Sequence, residues 1–171
     1  MSEMEFRDLA VRQPVADDHP SVLRVLDRWW GGFEGSTGSV QRALLLPRLF
    51  FQHFADSSFI AERDGELVGF LVGFLSQSRH DESYVHFVGV SPEEQRGGLG
   101  RYLYGLFFDY SRGHGRSVVR AITSAANSGS YEFHTRMGFD VEPSPAEFEG
   151  RPVQPDYDGP GLDRVSFVRR I

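Results

Sequence analysis

The sequence predicts a mixed α/β (α+β) fold: a largely antiparallel sheet flanked by helices, in one domain over residues 1–171. Three observations carry this. Early apolar residues recur at helical spacing, then give way to alternation from about Ser58 onward. Turn signals at Asp64-Gly65 and 78–83 separate alternating runs, as in hairpins. No repeat or linker divides the chain, and 171 residues suffice for a core without metal or disulfide support.

The elements follow in order. Phe6 to Gln13 alternates loosely and reads as a first strand. In DDHPSVLRVLDRWW, residues Val22, Leu23, Leu26, Trp29 and Trp30 form one helical stripe, with Asp18 as the expected cap. GGFEGSTGS reads as a glycine-rich loop, and VQRALLLPRLFFQHF as a second helix, kinked or restarted at Pro47. SSFIAERDGELVGFLVGFLSQ is a strand, a turn and a longer strand; YVHFVGV is the next. GRYLYGLFFDYSRGHG has Leu103, Leu106, Phe107 and Tyr110 at helical spacing. RSVVRAITS reads as a strand, NSGSYEFHTRM as a short helix and GFDVE as a strand start. Pro143 to Gly161 holds five of the nine prolines and reads as a long irregular loop before a final strand, DRVSFVRRI.

Composition narrows the chemistry. There is no cysteine, which removes disulfides, thiolate metal sites and a thiol nucleophile. All 18 basic residues are arginine, which removes lysine Schiff bases and the lysine-dependent phosphate loop. A net charge of −6 argues against nucleic acid as a partner, because that affinity comes mainly from neutralising phosphates. No apolar stretch reaches spanning length; the longest, Leu67 to Leu75, is interrupted by Gly69 and Gly73, so no membrane partner is expected. The acidic start MSEMEFRD does not resemble a secretory signal, and a cytoplasmic location is expected.

The stretch VGVSPEEQRGGLGRYLYG puts glycines and arginines where a strand hands over to a helix. Glycine weakens a helix, and arginines oppose the dipole at its N-terminus, so an anion is expected there. Glycines 97, 98 and 100 allow close approach to the backbone, with Arg96 and Arg101 adding charge. These residues form a pyrophosphate cradle. A dinucleotide-binding turn fits less well, since Gly98-Leu99-Gly100 is followed by Leu103 where that motif has glycine. The competing structural reading is a softened turn whose arginines face water.

EQRGGLGR, through Gln95, Gly98 and Gly100, resembles the Q/R-x-x-G-x-G/A signature of the GNAT-type N-acetyltransferase superfamily. HFVGV resembles that family's fourth strand, and NSGSYEFHTRMGF its later asparagine, short helix and terminal GF. The resemblance spans Ser58 to Val141 and implies a GNAT-like sheet with splayed central strands, those of Val85–Val90 and Val118–Ile122. It further implies acetyl-CoA as acyl donor, with no metal. Its pyrophosphate would lie on Gln95, Arg96, Gly97, Gly98, Leu99, Gly100 and Arg101, and its pantetheine arm along the amides of Val88 and Val90 and near Asn127. Asn127 is equally a good helix cap. Gly89 suits a bulge, a close approach or relief of crowding in the sheet.

The implied reaction is acetyl transfer to a primary amine of a small molecule or peptide, by direct attack in a ternary complex. The family's thiolate-protonating tyrosine falls at His134, after Phe133; histidine can serve, and Tyr131 is a substitute donor. The family's fourth-strand glutamate falls near Tyr84, a poor base at neutral pH, so Tyr84 and His86 are expected as wall residues. His80, Asp81, Glu82 and His86 lack metal-ligand spacing and read as a polar hairpin. Trp30 and Phe33 fall where the family's first helices form the acceptor wall; core packing is the competing role, and the better one for Trp29. The loop carrying Asp156, Tyr157 and Asp158 borders the acceptor side in the family, and otherwise faces solvent or a second copy in a homodimer. A non-catalytic acyl-CoA sensor is the alternative that the departures at Tyr84 and His134 support.

Overall fold

The computed structural model describes residues 6–30 and 35–171. Seven strands join one sheet in the order β1-β2-β3-β4-β5-β9-β6, flanked by helices. The pairs β1/β2, β2/β3, β5/β9 and β6/β9 are antiparallel, and β4/β5 is parallel. The expected mixed, mostly antiparallel architecture is therefore present. The chain forms two compact units interleaved in sequence: Met1–Phe74 with Phe87–Tyr110, and Leu75–His86 with Ser111–Ile171. Among the described residues, no helix is long and apolar enough to cross a membrane.

The first unit contains β1 (Leu9–Arg12), α1 (His19–Trp29), α2 (Gly35–Leu45), α3 (Leu49–His53) and β2 (Phe59–Arg63). It also holds most of β3 (Glu66–Leu75), the end of β4 (Glu82–Val90) and most of α4 (Leu99–Gly113). Its core gathers Val22, Leu26, Leu46, Phe51, Ile60, Phe70 and Val72, with Trp29, Trp30 and Phe87 packed against them. The stripe read on α1 is thus its inward face. Asp18 does not cap α1 as expected. Its carboxylate instead takes both ends of the Arg12 guanidinium at 2.8 Å and the Val15 amide at 2.7 Å. Helix α2 begins at Gly35, inside the stretch read as loop. Pro47 ends it: α3 restarts two residues later, since proline lacks an amide and restricts the residue before it.

Two glycines of the sheet act through the space they leave. A Cβ on Gly89 would lie 2.5 and 2.8 Å from Phe70 ring carbons and 3.2 Å from Trp30 Cη2. Relief of crowding is its role. A Cβ on Gly69 would lie 2.9 Å from Leu99 Cδ2 and 3.3 Å from Leu103 Cδ1, so bare backbone in β3 admits the start of α4.

The second unit contains the start of β4, β5 (Val118–Ser124), α5 (Ser128–Arg136), β6 (Asp140–Val141) and β9 (Arg164–Arg170). The region read as irregular loop carries a small hairpin, β7 (Glu147–Phe148) with β8 (Arg151–Pro152). Strand β5 pairs with β9 over all seven residues, whereas its registered pairs with β4 stop at Tyr84 and Arg120. Arg120 ties three segments together, ion-pairing with Glu82 at 2.9 Å and with Glu142 at 2.6 Å. Glu142 also accepts a hydrogen bond from the Ser166 hydroxyl. That hydroxyl first, and Arg120 next, hold its carboxyl below the ordinary value of 4.5 against the cost of burial.

Gly89→Ala is expected to destabilise the fold by roughly 1–3 kcal/mol in denaturant unfolding, because the Phe70 ring must shift; wild-type stability would mean the ring has room. Glu142 is depressed in the folded state, so its contribution is present above pH 4.5 and lost as pH falls through the lower folded value. Glu142→Gln should therefore flatten the acid-side loss of stability, and urea unfolding from about pH 6 to about pH 3 measures the slope. Identical slopes in the two proteins would remove Glu142 from the linkage.

Candidate active site

In the first unit, β4 closes with the Ser91 amide donating to the Val68 carbonyl at 2.9 Å. The chain then turns through Pro92–Gly98, pinned by Glu94 N–H to Ser91 O and Gly97 N–H to Glu94 O, each at 3.0 Å. Gly98 stands at φ +79°, a left-handed conformation that L side chains avoid. The first α4 bond runs from the Tyr102 amide to the Gly98 carbonyl at 3.0 Å. The amides of Leu99, Gly100 and Arg101 precede it, the position at a helix start from which backbone N–H groups can receive an anion.

The acids and bases of this turn are sorted. Glu93 accepts from the Ser91 hydroxyl at 2.9 Å, and Glu94 receives Arg63 through two bonds of 2.8 and 3.3 Å. Arg96 and Arg101 are exposed and, among the described residues, form no ion pair; Gln95 is exposed beside them. Val88 and Val90 are half-buried in β4. Trp30 is half-buried, edge-on to Phe87 at 6.2 Å, while Phe33 lies outside the described residues.

In the second unit, Asn127 does cap α5, its side-chain oxygen accepting from the Ser130 amide at 3.0 Å. His134 is only 3% exposed and stacks on Phe167, with centroids 4.6 Å apart and planes 13° apart. Its Nδ1 lies 2.8 Å from the Ser130 carbonyl; a carbonyl only accepts, so Nδ1 carries the hydrogen. Burial holds the ring below its ordinary value of 6.5, so it is neutral at pH 7 and Nε2 bears no proton. Tyr131, one helical turn earlier, is half-buried, and the Arg151 guanidinium carbon sits 4.6 Å over its ring.

Tyr84 stands opposite Arg120 in the parallel register and hydrogen-bonds the Tyr157 side chain. Burial first, then the neighbouring Tyr157 and Asp158, raise its hydroxyl well above the ordinary tyrosine value, with Arg120 acting the other way. His86 follows two residues on, half-buried in the same strand. The acidic loop residues divide in role. Asp158 is paired with Arg164 at 2.7 Å; Asp156 accepts the Gly161 amide at 2.6 Å and shapes the loop; Tyr157 is 49% exposed.

Tyr84, Tyr157 and Asp158 are thus brought together, as are Asn127, Tyr131 and His134 along α5. Arg63, Arg120 and Arg151 were not legible as site neighbours. Each meets its partner across 20 or more residues, through strand register and loop packing that spacing does not encode.

The model of the acetyltransferase (GNAT) family matches residues 22–139. Among curated relatives, a mycothiol acetyltransferase of Streptomyces coelicolor is 35% identical over 82 residues, 47% of this chain and 26% of the relative. An uncharacterised N-acetyltransferase of Methanocaldococcus jannaschii is 28% identical over 140 residues, 79% of this chain and 62% of the relative. The chain therefore spans about a quarter of the mycothiol relative's length. Among solved structures, a GNAT-family protein of Desulfovibrio desulfuricans has a TM-score of 0.72 at 21% identity, covering 95% of this chain and 98% of its own. A Salmonella typhimurium structure with its cofactor acetyl-CoA has a TM-score of 0.65 at 17% identity, covering 96% and 94%. At these identities the structural likeness is one of fold. The family-model match over most of the sequence carries the assignment: the chain belongs to the acetyltransferase (GNAT) family.

Proposed function

We propose that the protein is an N-acetyltransferase that takes its acyl group from acetyl-CoA and transfers it to a primary amine of a small molecule or peptide. The observation that carries this reading is the turn: Gly98 at φ +79°, a helix start with amides ahead of its first bond, and two arginines without ion pairs among the described residues. Those groups fit a pyrophosphate. Acetyl-CoA supplies the activated thioester. Gln95 through Arg101 hold the pyrophosphate, and the amides of Val88 and Val90 take the pantetheine arm, with Asn127 nearby in role as well as capping α5.

The amine nitrogen bonds the acyl carbon as the carbon–sulfur bond breaks. The amine proton leaves to water, the departing thiolate takes a proton from the Tyr131 hydroxyl, and water returns a proton to the phenolate so formed. His134 is second choice for that role, because its Nδ1 hydrogen is committed to Ser130 and its Nε2 has none to give. Tyr84, His86 and Tyr157 line the acceptor side, with Asp156 supplying negative charge toward an incoming ammonium and the charge of Asp158 offset by Arg164; Trp30 and Phe33 belong to the same role in the family. A cytoplasmic location accords with this chemistry.

One observation favours a second reading, an acyl-CoA sensor without turnover. Glu82, the carboxylate of β4, is ion-paired with Arg120 at 2.9 Å and with Arg79 at 3.5 Å, and Tyr84 is held protonated. Neither is an available base. Release of free thiol from acetyl-CoA across a panel of amines, amino acids and peptide N-termini separates the two readings: release with any acceptor establishes the enzyme, and binding without release the sensor.

Coenzyme A is expected to raise the melting temperature of the wild type, and Gly98→Glu to abolish the shift by placing a strained side chain and a carboxylate in the cradle. No shift at millimolar coenzyme would sink the reading. Tyr131→Phe should lower turnover by about 10²-fold or more with coenzyme affinity intact, whereas His134→Phe should keep most turnover. The opposite pattern in steady-state kinetics would return the proton to His134.

A further inference from the structure

The acceptor of the Arg63 side chain is a residue of the glycine turn itself. Glu94 lies between Ser91 and Gly97, and its carboxylate sits against the turn: a Cβ on Gly97 would be in ordinary contact with Glu94 Oε2 at 3.7 Å and with the Glu94 carbonyl at 3.5 Å. A carboxylate there is the wrong charge for a site built to hold an anion. It could reach the same amides, or Arg96, and compete as an internal anion. Arg63, at the end of β2, removes it from that contest by grasping both oxygens, at 2.8 and 3.3 Å. The pair is only partly exposed, with 27% and 18% of the two side chains accessible, so water screens it incompletely.

We infer that Arg63 is a positioning residue for coenzyme binding: it sequesters and neutralises the Glu94 carboxylate so that the turn amides and Arg96 stay open to the pyrophosphate. This rests on the proposal that the turn binds coenzyme A. It touches no reacting atom and acts wholly through Glu94. The electrostatic role differs from a structural one in a measurable way. If Arg63 merely pinned the turn, deleting the Glu94 charge could not repair its loss. If Arg63 silences that charge, deleting the charge must repair it.

The test measures coenzyme A affinity by calorimetry for wild type, Arg63→Met, Glu94→Gln and the double variant, with the melting temperature of each ligand-free protein as a check on folding. Arg63→Met is expected to weaken binding about fivefold or more. The double variant should return to within about twofold of wild type, and Glu94→Gln alone should bind as tightly as wild type or tighter. Should Arg63→Met fail to fold, the charge swap Arg63→Glu with Glu94→Arg keeps the ion pair and places the cation on the turn. It is expected to bind at least as tightly as wild type, and weaker binding overturns the inference. Unchanged affinity in Arg63→Met overturns it as well, as does a double variant as weak as the single one. A wild type that binds no coenzyme A overturns the functional proposal along with it, whereas a binding wild type with an indifferent Arg63→Met overturns this inference alone.

Discussion

Helix α4 is anchored by Leu99, Leu103, Tyr104 and Phe107, each without accessible surface, and the glycine turn inherits its position from that anchor. Burying side chains of this size is worth roughly 1.5–3 kcal/mol each, enough to hold the helix start against the cost of three nearby glycines and two repelled arginines. The anchor has its own requirement at Gly69, where any side chain would meet Leu99. Packing therefore comes first, and the unsatisfied amides are its by-product. A helix fixed by its apolar stripe can leave its first amides open to a ligand, because it does not need them for its stability.

The charges near the turn follow one pattern. Each acid is paired, Glu93 with a hydroxyl and Glu94 with a guanidinium, while Arg96 and Arg101 have no acidic partner among the described residues. Charge without an ion-pair partner among the described residues is thus left on one sign only, the sign that attracts an anion. The second unit shows the reverse arrangement around Tyr84: Glu82, Glu142 and Asp158 are all matched by arginines, and burial holds the Tyr84 hydroxyl in its neutral form.

Much of the fold was legible because it is written locally. The turn at Asp64-Gly65, the stripe of α1, the restart at Pro47 and the Asn127 cap each follow from residues within one or two turns of each other. The glycine turn was legible for the same reason. What escaped was set by distant partners. Asp18 has the right chemistry for a cap, but Arg12 and the Val15 amide outbid the helix for its carboxylate. The hairpin at Glu147–Pro152 lies in proline-rich sequence with weak alternation. His134 sits at a position where a helix surface and a core are equally consistent with the sequence, and the Phe167 ring decides between them. The partnership of Arg120 with Glu142 depends on which strands lie side by side, which no short stretch specifies.

Every ion pair described here uses a guanidinium, since the chain contains no lysine. Guanidinium does not lose its proton in the working range of a protein, so these pairs keep their charge under alkaline conditions where ammonium partners would begin to fail. There is a chemical side to the same feature. Transfer to an amine requires an uncharged nitrogen nucleophile, and no side chain of this protein can become a primary amine of that kind. An activated acyl group bound to such a chain would meet no side-chain amine or thiol to modify in place of the intended acceptor.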